Sequence, residues 1–155
     1  GSGMIGISLA CYGIGISFVQ GVLIRLKFIS QIGPRLVVTA SLLIGAFSLL
    51  SMGLIWEGWM VFCIIPFSAL SELLTPTLGS FLSNNIPDDQ QGELQGVLSS
   101  LSAITSIISP LVMTGLFNVF TSEITFVYFP GIPFIFASSL LLLTIIPLSL
   151  AMKKI

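Results

Sequence analysis

The sequence predicts an all-α fold, a bundle of about five membrane-spanning helices, and three observations carry that prediction. Only 7% of the 155 residues are charged and 55% are hydrophobic. A soluble domain carries about 25% charged residues, so most of this surface is suited to lipid rather than water. Five apolar runs, 4–24, 36–55, 59–82, 94–117 and 130–151, reach the roughly 20 residues needed to cross a hydrocarbon core. The basic residues form the third observation. Arg25, Lys27 and Arg35 follow the first run, and Lys153 and Lys154 follow the fifth. Five crossings place both segments on one side, which the positive-inside rule makes the cytoplasm, together with the C-terminus. Four or six crossings would divide them.

Taken in order, residues 1–3 read as a cloning scar or a cut loop and are set aside, leaving residues 4–155 as the transmembrane domain. In the first run Gly13, Ser17 and Gly21 recur every four residues, a stripe expected to let another helix approach closely. Cys11 and Cys63 lie inside apolar runs. They are expected as small buried hydrophobes rather than a disulfide. The second and third runs are separated by Trp56-Glu57-Gly58, a tight hairpin with Trp56 and Trp59 at the membrane interface. The loop 83–93 holds Asn84, Asn85, Pro87, Asp88 and Asp89. Asp88 or Asp89 is expected to cap the fourth helix, with Glu93 in its first turn where a carboxylate suits the helix dipole. In that helix Ser99, Ser102, Ser106 and Ser109 share a face, expected to pack on a neighbour, and Pro110 is expected to introduce a kink. An outer loop, 118–129, carries Glu123 and runs into Tyr128-Phe129-Pro130-Gly131, an aromatic belt before the fifth helix.

Several chemistries are excluded. The chain has no His and two Cys, too few for the usual zinc or haem ligand sets, so no metal and no cofactor is expected. A net charge of −1 offers no basic field for nucleic acid. There is no hydrolase triad or phosphate loop, and Gly13-Ile14-Gly15 lacks the strand-to-helix context of a nucleotide fingerprint. The chain does not read as an enzyme. Glu72 is the informative residue. An acidic side chain at a helix centre costs about 2.5–3.5 kcal/mol on insertion scales, and is therefore expected to face the bundle interior or a watery cavity. Ser68, Glu72, Thr75, Pro76, Gly79 and Ser83 fall on one helical face, a small and polar stripe fit for a transport pathway. With no Lys or Arg at membrane depth to pair with it, Glu72 is expected to exchange a proton or to bind a polar part of a substrate.

Asp88-Asp89-Gln90-Gln91-Gly92-Glu93-Leu94-Gln95-Gly96 resembles the loop and helix start before the eleventh helix of tetracycline-resistance-type antiporters, a branch of the major facilitator superfamily. The resemblance continues through Ser109-Pro110-Leu111 and Tyr128 to Phe134. Upstream it includes Glu57 to Phe62, the Pro76 region, Gln20 to Arg25, and Gly33-Pro34-Arg35. It implies that the five helices are the eighth to twelfth of a twelve-helix proton-coupled drug exporter of the bacterial inner membrane. The partners it implies are the lipid bilayer, the missing N-terminal half, a small-molecule substrate and H⁺. The basic loop with Arg25, Gly33 and Arg35, and the loop with Asp88, Asp89 and Gln91, would then hold the cytoplasmic helix ends during gating. Pro76 and Pro110 would be helix kinks. The chain departs from the family at Leu70-Ser71-Glu72, where a Gly-rich stretch is usual, at Gly79, where Gln is common, and at Ser109, where Gly precedes the proline. Glu72 is thus a feature of this chain rather than of the family. The alternative reading is a non-transporting membrane subunit or channel component.

Overall fold

The computed structural model describes residues 2–25, 31–122 and 128–154. Lys27 and Glu123, named above, lie outside them. Helix α1 spans Ser2–Gly21 and is followed by a 3₁₀ turn, Leu23–Arg25. Helix α2 is Pro34–Leu54, α3 is Met60–Ser71 and α4 is Leu74–Asn84. A second 3₁₀ turn, Asp88–Gln90, leads into α5, Gln91–Thr121, and α6 is Ile132–Lys154. No strand occurs among the described residues. Because α3 and α4 together make one membrane-length segment, Met60–Asn84, five segments are long and apolar enough to span a bilayer.

The boundaries follow local chemistry. Pro34 occupies the first turn of α2 behind Gly33, where its missing N–H costs nothing and its fixed φ is helical. Ser2 and Gly3, set aside from the sequence, belong to α1. α5 runs for 31 residues, longer than the run 94–117, because the polar stretch Gln91–Glu93 and the residues up to Thr121 continue its hydrogen-bond ladder. At 1.5 Å per residue it is about 46 Å long, so it projects past a core of about 30 Å or crosses it at a tilt. Pro110 interrupts the ladder without dividing this helix.

The third run departs most from expectation. It is two helices, not one, and they meet at Glu72 and Leu73. Proline supplies no N–H and its ring crowds the carbonyl four residues back, and four residues before Pro76 stands Glu72. The backbone answers with 3₁₀-type bonds: Glu72 N–H donates to the Ala69 carbonyl and Leu73 N–H to that of Leu70, each at 3.2 Å. The α-type ladder resumes with Thr77 N–H to the Leu73 carbonyl.

α2 is the central helix. Its most apolar window is 44% buried, against 0% for α5, and it packs on α6, α3 and α4. α1 leans on α3, and α5 packs mainly on α6. Two small cores result. Val19, Val37, Ala69 and Leu73 form one. Val38, Leu42 and Met152 form the other, covered by Leu74, Leu78 and Phe81. The second core brings the C-terminal end of α6 to the rim where α2 begins. Elsewhere large apolar side chains point outward, among them Leu9, Ile14, Leu111 and Leu143, as a lipid-facing surface requires.

Close helix approach depends on glycines that periodicity alone did not select. Gly13 and Gly21 have open space where a Cβ would sit, whereas at Gly15 a Cβ would lie 3.0 Å from that of Ala69 on α3. The stripe expected from Gly13, Ser17 and Gly21 therefore points away from the bundle and its neighbour Gly15 makes the contact. At the α2–α6 crossing a Cβ on Gly131 would overlap the Gly53 carbonyl. The buried Ser138 hydroxyl there donates to the Ala46 carbonyl at 2.7 Å. Cys11 and Cys63 are free and exposed, correcting the expectation of burial. They lie on outward faces of α1 and α3 where lipid, not protein, accepts an apolar side chain.

Gly131→Ala is expected to destabilise the chain by about 1–3 kcal/mol through overpacking, read as a lowered unfolding midpoint in detergent. Gly13→Ala, into open space, is expected to leave that midpoint unchanged.

Candidate functional site: a polar cavity at the break between α3 and α4

Glu72 stands twelve residues from either end of the Met60–Asn84 segment, where the helix is interrupted. Its carboxylate is held from the side by α1: the Tyr12 hydroxyl donates to Glu72 Oε1 at 2.9 Å. The proline-induced turn and the Tyr12 contact together fix where an acidic group sits at membrane depth.

Around this pair lies a cavity of about 250 Å³ between α1, α2, the α3–α4 break and α6. Ser68, Glu72 and Thr75, expected from the sequence, all line it. Gly79 does not, and neither do Pro76 and Ser83. The break at Glu72 and Leu73 parts the face that a continuous helix would have kept together. Pro76 instead borders a depression at the rim, with Pro34, Phe81 and Asn84.

The remaining wall was missed from sequence. α2 contributes Ser41, Gly45 and Ser48, and α3 contributes Ser71. Ser41, Gly45 and Ser48 recur at four and three residues, one helical face, and that spacing was a legible signal. Tyr12 was another, because a tyrosine deep in an apolar run is away from the interface it favours. Gly45 allows the wall to close, since a Cβ there would lie 3.2 Å from that of Ser71. Ser71 Oγ is committed to the Ser68 carbonyl at 2.7 Å. Ser48 is 3% exposed, and its Oγ has no hydrogen-bond partner. An apolar cavity of about 280 Å³ adjoins through the shared Tyr12, Ser48, Leu49 and Ser68 and reaches Met52, Ile64 and Phe134.

The rim carries a second polar arrangement. Gln91 clasps the end of α4: its Nε2 donates to the Ser83 carbonyl at 2.8 Å and the Ile86 carbonyl at 2.9 Å. Ser83 Oγ in turn donates to Gln91 Oε1 at 2.8 Å. The Ser83 carbonyl also accepts the Ile86 N–H at 3.5 Å, so the clasp gives it a second, shorter bond and pairs the Ile86 carbonyl just past the helix end. Asp88 and Asp89, expected as caps, make no side-chain cap bond. They form the 3₁₀ turn, and Gln90 takes the N-cap position. Arg25, Gly33 and Arg35 are exposed at the junction of α1 and α2. On α5 Ser99, Ser102, Ser106 and Ser109 are all exposed, so the face expected to pack on a neighbour has none within the described residues. Ser106 Oγ turns back to the Ala103 carbonyl of its own helix at 2.8 Å.

Five lipid-facing segments with an acid and hydroxyl cavity between them define a multi-pass membrane protein. The chain is 32% identical over 114 residues to the tetracycline resistance protein, class C, of Escherichia coli, a match covering 74% of this chain and 28% of that protein. The class G protein of Vibrio anguillarum is 34% identical over 118 residues, 74% of this chain and 29% of that protein. Hippocampus abundant transcript-like protein 1 of Homo sapiens is 24% identical over 102 residues, 57% of this chain and 20% of that protein. No family model matches the chain, and no solved structure does so with significance. The chain is a relative of the tetracycline resistance proteins of the major facilitator superfamily. It spans about 28% of the length of the first of these relatives.

Gln91→Ala is expected to cost about 1–3 kcal/mol by leaving the half-buried Ile86 carbonyl unpaired and the Ser83 carbonyl with its long backbone bond alone, and to speed amide exchange across residues 83–91. Asp88→Ala is expected to change stability by no more than about 0.5 kcal/mol in the same measurement.

Proposed function

We propose that the chain is the C-terminal part of a secondary transporter, its eighth to twelfth helices, which exports a drug or another small amphipathic molecule in exchange for protons by alternating access. The observation that carries this reading is the Tyr12–Glu72 pair lining a cavity at the middle of a membrane-length segment, in a chain related to tetracycline resistance proteins. An intramembrane carboxylate is costly to insert and marks ion or substrate paths.

Three features support the wider picture. The exposed small-residue face of α5 is suited to closely packed helices of the missing N-terminal half. The second core places the end of α6 at the rim of Arg25 and Arg35, which fits a cytoplasmic C-terminus in a bacterial inner membrane. The exposed Arg25 and Arg35, with Gly33 between them and the Gln91 clasp beyond Asp88 and Asp89, are placed to hold helix ends together as the halves rock.

The test is energised efflux of a panel of fluorescent drugs by the full-length protein. Glu72→Gln is expected to lower the efflux rate about tenfold or more, equivalent to about 1.4 kcal/mol, and to flatten its dependence on pH. Unchanged efflux with an unchanged pH profile removes Glu72 from the pathway.

A further inference from the structure

We propose that the apolar cavity between α1, α2, α3 and α6 binds the flat, ring-bearing body of the exported molecule, and that Phe134 with Met52 is the door between this cavity and the rim opposite Arg25 and Arg35. The inference deepens the transport reading above and rests on it for the cargo, while occupancy and passage are tested separately.

The cavity itself is the first argument. Four helices enclose its roughly 280 Å³. Leu9, Leu49, Ile64 and Ile65 supply most of its wall. The polar groups along it are engaged elsewhere or enclosed. Ser8 Oγ donates to the Ile5 carbonyl at 2.8 Å, the Tyr12 hydroxyl is committed to Glu72, and Ser48 is 3% exposed. Water finds few partners in such a space, whereas a dry apolar cavity of about 150 Å³ is enough for a benzene ring. A space nearly twice as large has room for about two fused rings on the same scale.

Continuity is the second argument. Met52 and Phe134 line this cavity and also a larger one, of about 630 Å³, where α2 ends and α6 begins. The larger space is aromatic, with Trp56, Phe117 and Phe129 around it. Aromatic walls favour flat rings, because ring faces and edges attract one another beyond the area they bury. At its inner end the apolar cavity shares Tyr12, Leu49 and Ser68 with the space beside Glu72. Side chains held in common thus join the rim to the middle of the membrane-length segment, and no Lys or Arg lines any of the three spaces.

The door is the third argument. Phe134 stands in the first turn of α6, its N–H on the Gly131 carbonyl at 3.1 Å. A Cβ on Gly53 would lie 3.3 Å from that of Phe134, so the bare glycine lets Phe134 stand against the end of α2. The Phe134 side chain is 40% exposed, and Met52 is a half-buried, flexible thioether. Exposed side chains change rotamer in picoseconds to nanoseconds, so this door opens without moving the backbone.

The experiment follows alkylation of a single thiol, Leu49→Cys, in the full-length protein in detergent with its native cysteines replaced by alanine. N-ethylmaleimide is expected to label that thiol, naphthalene to protect it saturably, and dodecane to leave the rate unchanged. Phe134→Trp is expected to slow labelling about tenfold, the scale of one overpacked side chain. Phe134→Ala is expected to speed labelling by the bulkier N-pyrenylmaleimide by about the same factor. Ile64→Cys, on the α3 wall, repeats the measurement where Leu49→Cys lowers the unfolding midpoint. A thiol that reacts at neither position overturns the cavity, and a rate indifferent to the residue at 134 overturns the door. Protection by dodecane in place of naphthalene makes the occupant a lipid chain and overturns the site. Drug efflux by the same protein in vesicles separates the two readings. Efflux that needs Glu72, with labelling indifferent to Phe134 and to naphthalene, sinks this inference and keeps the transport reading. Labelling that depends on both, in a protein without efflux, keeps the ring site and its door and sinks the transport reading.

Discussion

A peptide group in hydrocarbon has no water to bond, so each N–H and C=O must find its partner within the chain. Helices meet that demand locally, and the exceptions are where this protein becomes specific. Pro76 removes one donor from the middle of the third segment, and the ladder shifts to three-residue bonds at Glu72 and Leu73. That irregular turn is tolerable because it sits against α1 and α2 and borders a polar cavity rather than lipid. The same turn carries the one acid at membrane depth among the described residues. The break and the carboxylate are thus one feature: the backbone defect creates polar surface, and the polar surface makes room for a charge.

The helices around the break are held by close approach more than by large buried side chains. Val38 is the largest side chain that is almost completely enclosed. Gly15, Gly45, Gly53 and Gly131 stand where a Cβ would meet a neighbouring helix, and the Ser138 hydroxyl ties α6 to an α2 carbonyl. In lipid the hydrophobic effect gives no reason for one apolar helix to prefer another over the solvent, so contact distance and hydrogen bonds decide the packing. α2 has the small residues on the faces that need them and becomes the centre. α5 carries its serines on an outer face and packs mainly on α6.

The rim follows a different logic, because water is available there. The loop 83–93 has the turn-forming composition that its sequence suggests, but Gln91 rather than an aspartate closes it. A glutamine amide both donates and accepts, so one side chain satisfies two carbonyls of the preceding helix end and receives the Ser83 hydroxyl. Asp88 and Asp89 can only accept while ionised, and what this helix end lacks is donors.

Some of this was decided by the residues alone. Scarce charge and apolar runs of spanning length require membrane helices, because insertion energy depends on composition and length and little on neighbours. The isolation of Glu72 in an apolar segment marked it as a site candidate for the same reason, and Ser68 and Thr75 were within reach of it by helical spacing. Which residues complete the site belonged to the tertiary structure. Tyr12 lies 60 positions from Glu72 in sequence, and Ser48 reaches the cavity only because α2 crosses behind the break. Gly79, grouped with Glu72 by an unbroken helical repeat, is separated from it because a proline four residues after the acid removes the hydrogen bond on which that repeat depends. Periodicity describes one helix, whereas a cavity is made where several meet.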